Sequence, residues 1–342
     1  MLAIGNRATV SFLPFTKERV SSAIPNHAPG PVRVAVIGMG NVGSTFAYAL
    51  LLSGLAAEIV LIDNNVGKAE GEAMDLNHTV PFAHPTRIWA GDLNDCAGAA
   101  VTVLTAGVGQ KLGQSRLDCI QANAKIWRDI VPKVAQHNPN GILLVATNPV
   151  DVLTYAALKL SGLPKSRVIG SGTILDTSRF RFLLSQHFGV DARSIHAFII
   201  GEHGDSEVPV WSLANIAGMR LPDYCRLHGI SCDDATMRKI FEATRDAAYS
   251  IIQRKGATYY AVAAGLMRIT ETILRHQNTV LSVSSLIDNY YEIDGICLSL
   301  PTVLDRGGVR QVLRLELDPE EQRNLRHSAD ILKQTISKVD LD

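Results

Sequence analysis

From Val34 to Ala57 the chain carries no charged side chain, and the stretch is long enough to cross a bilayer, for which ~20 apolar residues suffice. Glycines argue against that use. Gly38, Gly40, Gly43 and Gly54, with Asn41 among them, divide the stretch into a β-branched run and a later run rich in alanine and leucine. The pattern reads as strand, tight turn, helix. In that setting Gly38-Met39-Gly40-Asn41-Val42-Gly43 has a definite physical use. The first glycine permits the turn, the second lets a pyrophosphate approach the backbone, and the third lets the helix lie close on the strand while its N-terminus faces negative charge. Alone, the spacing is a weak signal. Asp63 strengthens it by ending the next apolar run about 20 residues past the last glycine, where a carboxylate accepts hydrogen bonds from a ribose and repels a 2′-phosphate. NAD is favoured over NADP.

The rest of the first half repeats the theme. Val32–Gly38, Ile59–Asp63, Val101–Ala106 and Ile142–Thr147 read as near-continuous apolar strands, each followed by helical periodicity. Such strands imply a parallel sheet covered on both faces. The expectation is an α/β chain: a Rossmann-type doubly wound parallel sheet over residues 31–172, then an α+β substrate domain over 173–342. In the second part a helix is expected near Asp176–Phe188, strands at His196–Ile200 and Pro209–Ile216, and helices around Asp233–Arg254 and Thr258–Arg275. The length of 342 residues suits two domains. Residues 1–30 hold Arg7, Lys17 and Arg19 without a continuous apolar run, so a signal peptide is not supported and a flexible arm is the preferred reading. A transit peptide stays open as the other one, because Glu18 is the sole acid before Val32.

Composition removes whole function classes. With 33 basic and 33 acidic side chains the chain has no basic field for nucleic acid, and 46% hydrophobic residues against 19% charged describe a globule. Five cysteines (Cys96, Cys119, Cys225, Cys232 and Cys297) show no CxxC pairing, which favours neither a disulfide framework nor a zinc site. A reducing, cytoplasmic setting and no metal are expected.

Four further segments carry chemistry. His203 stands between glycines in Gly201-Glu202-His203-Gly204-Asp205, directly after an apolar run, and a histidine can exchange a proton with a hydroxyl or carbonyl oxygen in either direction. An orienting carboxylate would raise its pKa, and spacing alone does not choose among the acids available. Asp176 and Arg179 are three apart on an expected helix and share a face; the bland reading is an intrahelical ion pair, the functional one a guanidinium fork gripping a substrate carboxylate. Gly107 to Arg116, with three glycines and a terminal cation, reads as a mobile loop suited to closing over a ligand. Asn148-Pro149-Val150-Asp151 follows a strand at the end where open α/β sheets bind ligands.

Taken together, GMGNVG, TAGVGQKLGQSRLD, ATNPVDVLTY, RVIGSGTILDTSRFRF, GEHGDSEVPVW and KGATYYAVA resemble the L-lactate dehydrogenases of the lactate/malate dehydrogenase superfamily, nearest the bacterial forms, over about Val32 to Val339. The resemblance implies that His203 donates and accepts the proton, Asp176 orients it, Arg179 clamps the substrate carboxylate, and Arg116 polarises the carbonyl from the loop. It puts Gln110, Asn148, Asp151 and Thr258 around pyruvate or lactate. Along NAD it implies Gly38, Gly40, Val42, Gly43, Asp63, Lys68, Thr105, Gly107 and Val108, then Ala146, Thr147, Asn148 and Ser171. Gly109 departs from the polar or charged residue common just before the loop glutamine, which puts one cofactor contact in doubt. Arg181 and His196 match the positions at which bacterial members bind fructose 1,6-bisphosphate across a two-fold axis of a homotetramer. Malate dehydrogenase is the alternative within the same chemistry, but neutral Gln110 offers no cation for a second carboxylate. A non-catalytic NAD-binding sensor or scaffold is the alternative from another class.

Overall fold

A computed structural model of the protein describes residues 31–108 and 116–340. Residues 1–30 and the loop that holds Gly109, Gln110 and Lys111 therefore lie outside the described residues, as does the side chain of Arg116.

Six strands, β1 (Arg33–Ile37), β2 (Glu58–Ile62), β3 (Arg87–Ala90), β4 (Ala99–Leu104), β5 (Ile142–Val145) and β6 (Val168–Gly170), pair in parallel in the order β6-β5-β4-β1-β2-β3. Their crossovers contain α1 (Asn41–Ser53), α2 (Val66–Thr79), α3 (Arg116–His137) and α4 (Val150–Ser161). Alternate residues of each strand enter different cores. Val34, Val36, Ile59, Leu61, Val101 and Val103 pack with Phe46 and Leu50 of α1, while Ala35, Ile37, Val60, Ile62, Leu143 and Val145 pack with Trp127 and Val131 of α3 and Leu153 of α4. A sheet buried on both faces is the reason the strands read as unbroken apolar runs. Strand order reverses beside β1, whose neighbours are β2 and β4, so a crevice opens at the carboxyl ends of β1 and β4.

The second half begins with α5 (Ile174–Phe188) and continues through the short strands β7 (Ile195–His196), β8 (Ile199–Ile200), β9 (Val208–Pro209), β10 (Asn215–Ile216) and β11 (Met219–Arg220). Then come α6 (Leu221–His228), α7 (Asp234–Arg245), α8 (Ala247–Lys255), α9 (Tyr260–Leu274), the meander β12 (Thr279–Ile287), β13 (Ile296–Asp305) and β14 (Gly308–Val312), and α10 (Pro319–Ile336). The meander extends the main sheet through one antiparallel pair, Ser284 with Gly170, and Leu266 and Ile269 of α9 enter the same core as α1.

Three expectations are corrected here. The strand expected at His196–Ile200 is two short strands in separate sheets, because Ile195 and His196 pair with β10 whereas Ile199 and Ile200 pair with β9. The helix expected over Asp233–Arg254 is broken at Asp246, whose backbone (φ −84, ψ −2) ends α7 and starts α8. Cys225 and Cys232 form a disulfide, their Cα atoms 6.1 Å apart, because α6 ends at Gly229 in the left-handed region (φ 65) and the chain turns back beside it. Cys96, Cys119 and Cys297 are free and buried. No helix among the described residues is long and apolar enough to cross a membrane.

The glycine turn is held by sterics. Gly38 has φ 100, and a Cβ there would stand 2.4 Å from the Ala106 nitrogen; at Gly43 it would stand 2.0 Å from the Gly38 oxygen. Gly38→Ala should therefore cost about 2–4 kcal/mol of unfolding free energy, from left-handed strain plus overpacking, read from a urea unfolding midpoint. An unchanged midpoint would contradict this account of the turn.

Candidate active site

At the carboxyl end of β1 the turn is braced from two sides. Thr105 Oγ1 donates to the Gly38 and Ile37 carbonyls (2.7 and 3.0 Å), and the Met39 N–H donates to Asp63 Oδ2 (2.7 Å). Asp63 Oδ1 accepts from the Asn65 N–H, so the acid assigned to a ribose also fixes the loop. No side chain caps α1, and a Cβ at Gly40 would meet nothing within 4 Å. Uncapped N–H groups beside open backbone fit a pyrophosphate.

A cavity of about 440 Å³ runs from this turn to the second half of the chain. Val42, Thr105, Gly107, Val108, Ala146, Thr147 and Asn148 line one end, and Asp176, Arg179, His203, Glu207, Arg245 and Tyr249 the other. Of the glycine motif only Val42 lines it; Gly38, Gly40, Gly43, Asp63, Lys68 (exposed on α2) and Ser171 (after β6) do not. Asn123 of α3 is fully buried and ties these strand ends together: its Oδ1 accepts from the Val108 N–H (2.7 Å), and its Nδ2 donates to the carbonyls of Val108 and Asn148 (3.2 Å each).

The chemistry gathers around one carboxylate. Asp176, in the first turn of α5, has Oδ2 2.5 Å from His203 Nδ1 and accepts from Arg179 at Oδ1 (2.9 Å). Side-chain exposure is 3% for Asp176, 13% for Arg179 and 23% for His203, so the acid is buried while the two cations reach the cavity. The (i, i+3) pair is present, and it belongs to the site as well as to the helix. Burial on its own would lower the His203 pKa, but the Asp176 charge and hydrogen bond, helped by Asp151 and Glu207, push it up to about 9. Burial opposes ionisation of Asp176, but His203 and Arg179 outweigh it and hold the carboxyl below its usual range.

Asp151 sits behind the histidine. Its Oδ2 accepts the His203 N–H (2.7 Å) and its Oδ1 the Ser299 hydroxyl (3.3 Å), and it is absent from the cavity wall. Burial pushes its carboxyl up to about 6, against the hydrogen bond from the His203 backbone and the His203 charge. Thr258 lies in a neighbouring apolar cavity of about 470 Å³ that shares Arg179 with the first. Arg181 points elsewhere: its Nε donates to the Ala197 carbonyl (2.9 Å) and its guanidinium lies 5.2 Å from the Phe198 ring centre, with His196 exposed on β7 nearby in the chain. Burial lowers the Arg181 pKa. Among the described residues no group of histidine, cysteine or acidic side chains could hold a metal ion. Asn123, Arg245 and Tyr249 were missed because they lie outside the quoted motifs, and Glu207 because, although it stands inside GEHGDSEVPVW, no role was read for it.

Residues 32–170 match the NAD-binding domain of the lactate/malate dehydrogenases, and residues 173–341 match the alpha/beta C-terminal domain of the same group. The L-lactate dehydrogenase of Acetivibrio thermocellus is 51% identical over 311 residues, covering 90% of this chain and 98% of its own. That of Priestia megaterium is 53% identical over 307 residues, with 90% and 96% covered. The minor L-lactate dehydrogenase of Enterococcus mundtii, solved in a ligands-bound form, superposes with a TM-score of 0.88 at 40% identity, covering 91% of this chain and 99% of that one.

The position of Asp151 generates a test. Asp151→Ala leaves the His203 N–H without its buried acceptor and should destabilise the protein by about 1–3 kcal/mol. Asp151→Asn keeps an acceptor oxygen and removes the cost of a buried charge, so it should retain most of that stability. Equal thermal midpoints for Asp151→Ala and the unaltered protein would remove Asp151 from this role.

Proposed function

The chain belongs to the lactate/malate dehydrogenase family, and on that footing we propose that it is an NAD-dependent L-lactate dehydrogenase, interconverting pyruvate and (S)-lactate. The observation that carries the reading is the Arg179–Asp176–His203 chain at one end of a cavity whose other end is the glycine turn.

A nicotinamide dinucleotide held at that end of the cavity, where Val42, Thr105 and Asn148 line the wall, would supply the hydride that the carbonyl carbon of pyruvate takes up. The chain's own residues do the rest. Arg179 grips the pyruvate carboxylate through its two-pronged fork, which fixes position and orientation together. His203, protonated near neutral pH and lining the cavity, donates from the ring nitrogen not bound to Asp176 to the keto oxygen as negative charge develops there. Asp176 keeps the ring oriented and the imidazolium available. In the lactate-oxidising direction neutral His203 takes the hydroxyl proton. Asn148 borders the same space, and Arg116, at the start of α3, is assigned to polarise the carbonyl from the preceding loop. Substrate choice rests on Gln110: oxaloacetate would bring a second carboxylate to a neutral amide, and an unpaired buried charge costs several kcal/mol.

By the same reading residues 31–172 hold the dinucleotide and 173–342 handle the substrate. Arg181 and His196 are assigned to fructose 1,6-bisphosphate in a homotetramer, where facing copies of these cations would repel until a bisphosphate bridges them.

Purified protein should oxidise NADH with pyruvate at a higher kcat/KM than with oxaloacetate, and His203→Asn should lower kcat about 10²–10⁴-fold while NADH affinity stays close to its starting value. A wild-type preference for oxaloacetate would sink the lactate assignment. Millimolar fructose 1,6-bisphosphate should lower the apparent KM for pyruvate by about fivefold or more, with a larger effect at pH 6 than at pH 7.5 because histidines gain charge there, and none in Arg181→Gln. An unmoved saturation curve at both pH values would leave Arg181 and His196 without a regulatory role.

A further inference from the structure

Glu207 is a buried acid that the reaction just described leaves unused. It is 6% exposed, and its Oε1 has no hydrogen-bond partner among the described residues. The side chain stands between two cavities, the active-site cavity and a larger one of about 640 Å³ walled by α6, α7, β9 and α10.

We propose that Glu207 is a positioning residue of this active site, a carboxyl that must be unionised for the pyruvate carboxylate to seat on Arg179 and that shuts off substrate capture when it loses its proton. The proposal rests on the lactate dehydrogenase reading of the site. Its argument is charge. With His203 protonated, the charged side chains that line the described cavity beside Glu207 are His203, Arg179 and Arg245, three positive charges, and Asp176 and Asp205, two negative, so the wall carries one unit of positive charge for one substrate carboxylate. An ionised Glu207 would cancel that unit, and pyruvate would then enter a half-buried site with its charge uncompensated. It would also compete for Arg179.

The surrounding groups favour the unionised form near neutrality. Burial and then the Asp176 charge push the Glu207 carboxyl up to about 8, against His203, Arg179 and Arg245. The second cavity brings Arg238 and His327 as basic groups, and Asp234 and Glu320 as acids. Its other two acids are engaged locally: Asp318 caps α10, and Glu321 accepts from the Ser212 N–H and hydroxyl. None of these cations donates a hydrogen bond to Glu207 Oε1, and burial outweighs their charges, so proton uptake is the route of Glu207 to neutrality.

The test is the alkaline limb of the pH profile for pyruvate reduction. Two protons, on His203 and on Glu207, must be in place in the wild type, so log kcat/KM should fall with a slope that steepens toward −2, or about 100-fold per pH unit. Glu207→Gln leaves one titrating group, and its limb should fall with slope −1, about tenfold per pH unit. Superimposable limbs of slope −1, with pyruvate turned over by both proteins, would overturn the proposal and leave the function intact. No pyruvate turnover by the wild type would overturn both. Should Glu207→Gln fail to fold, the wild type itself decides. Calorimetry of oxamate, an unreactive pyruvate analogue, binding to the protein–NADH complex in buffers of different ionisation enthalpy should show proton uptake centred near pH 8, where Glu207 titrates. Uptake centred only near pH 9, where His203 titrates, would overturn the proposal.

Discussion

A buried carboxylate held between two cations is the interaction on which the site depends. Asp176 is nearly inaccessible to water, and a bare carboxylate in that position would take up a proton rather than stay charged. It stays ionised because His203 contacts one oxygen and Arg179 the other. The same contacts work in reverse on the partners: the imidazole keeps its proton above neutral pH, and the guanidinium is tethered on a side chain that lines the cavity. Removing Asp176 would therefore release both His203 and Arg179 from their contacts at once.

The fold supplies what this triplet needs. Asp176 lies in the first turn of α5, where the helix dipole favours negative charge, and α5 starts directly after β6 at the carboxyl edge of the sheet. Asp151, in the first turn of α4, reaches across to the His203 backbone, so the loop bearing the histidine is pinned to the nucleotide-binding half. Asn123 fixes the ends of β4 and β5 by bonding Val108 and Asn148. The glycine turn, braced by Thr105 and Asp63, completes the same edge. The cavity's nucleotide end and the His203 loop are thus tied to the same edge of the main sheet, the loop through Asp151 of α4 and the Gly201–Ser299 bridge.

Much of this was legible in the sequence, for a physical reason. Strands buried on two faces need apolar residues at every position, so Val34–Ile37 and Ile142–Val145 announce a parallel sheet before any pairing is known. Glycines at 38 and 43 are required by contacts of van der Waals closeness, and such positions leave a fixed spacing. The Asp176–Arg179 pair was visible from helical periodicity, but its engagement with His203 is a contact between segments far apart in the chain, which the acids' spacing left open. Asn123 and Glu207 were illegible because their roles arise from burial beside groups that tertiary packing brings in. The Cys225–Cys232 bond escaped for a related reason: it depends on the chain reversing at Gly229, and a separation of seven has no motif attached to it.

The central claim is that Asp176 holds His203 protonated through neutral pH. Following the His203 ring by heteronuclear NMR while pH is varied, in the wild type and in Asp176→Asn, tests it directly. The account predicts a midpoint near 9 in the wild type and a clearly lower one in the variant, where burial pulls the histidine down and only the charges of Asp151 and Glu207 still oppose it. A wild-type midpoint near 6.5, or one that Asp176→Asn leaves in place, would contradict it.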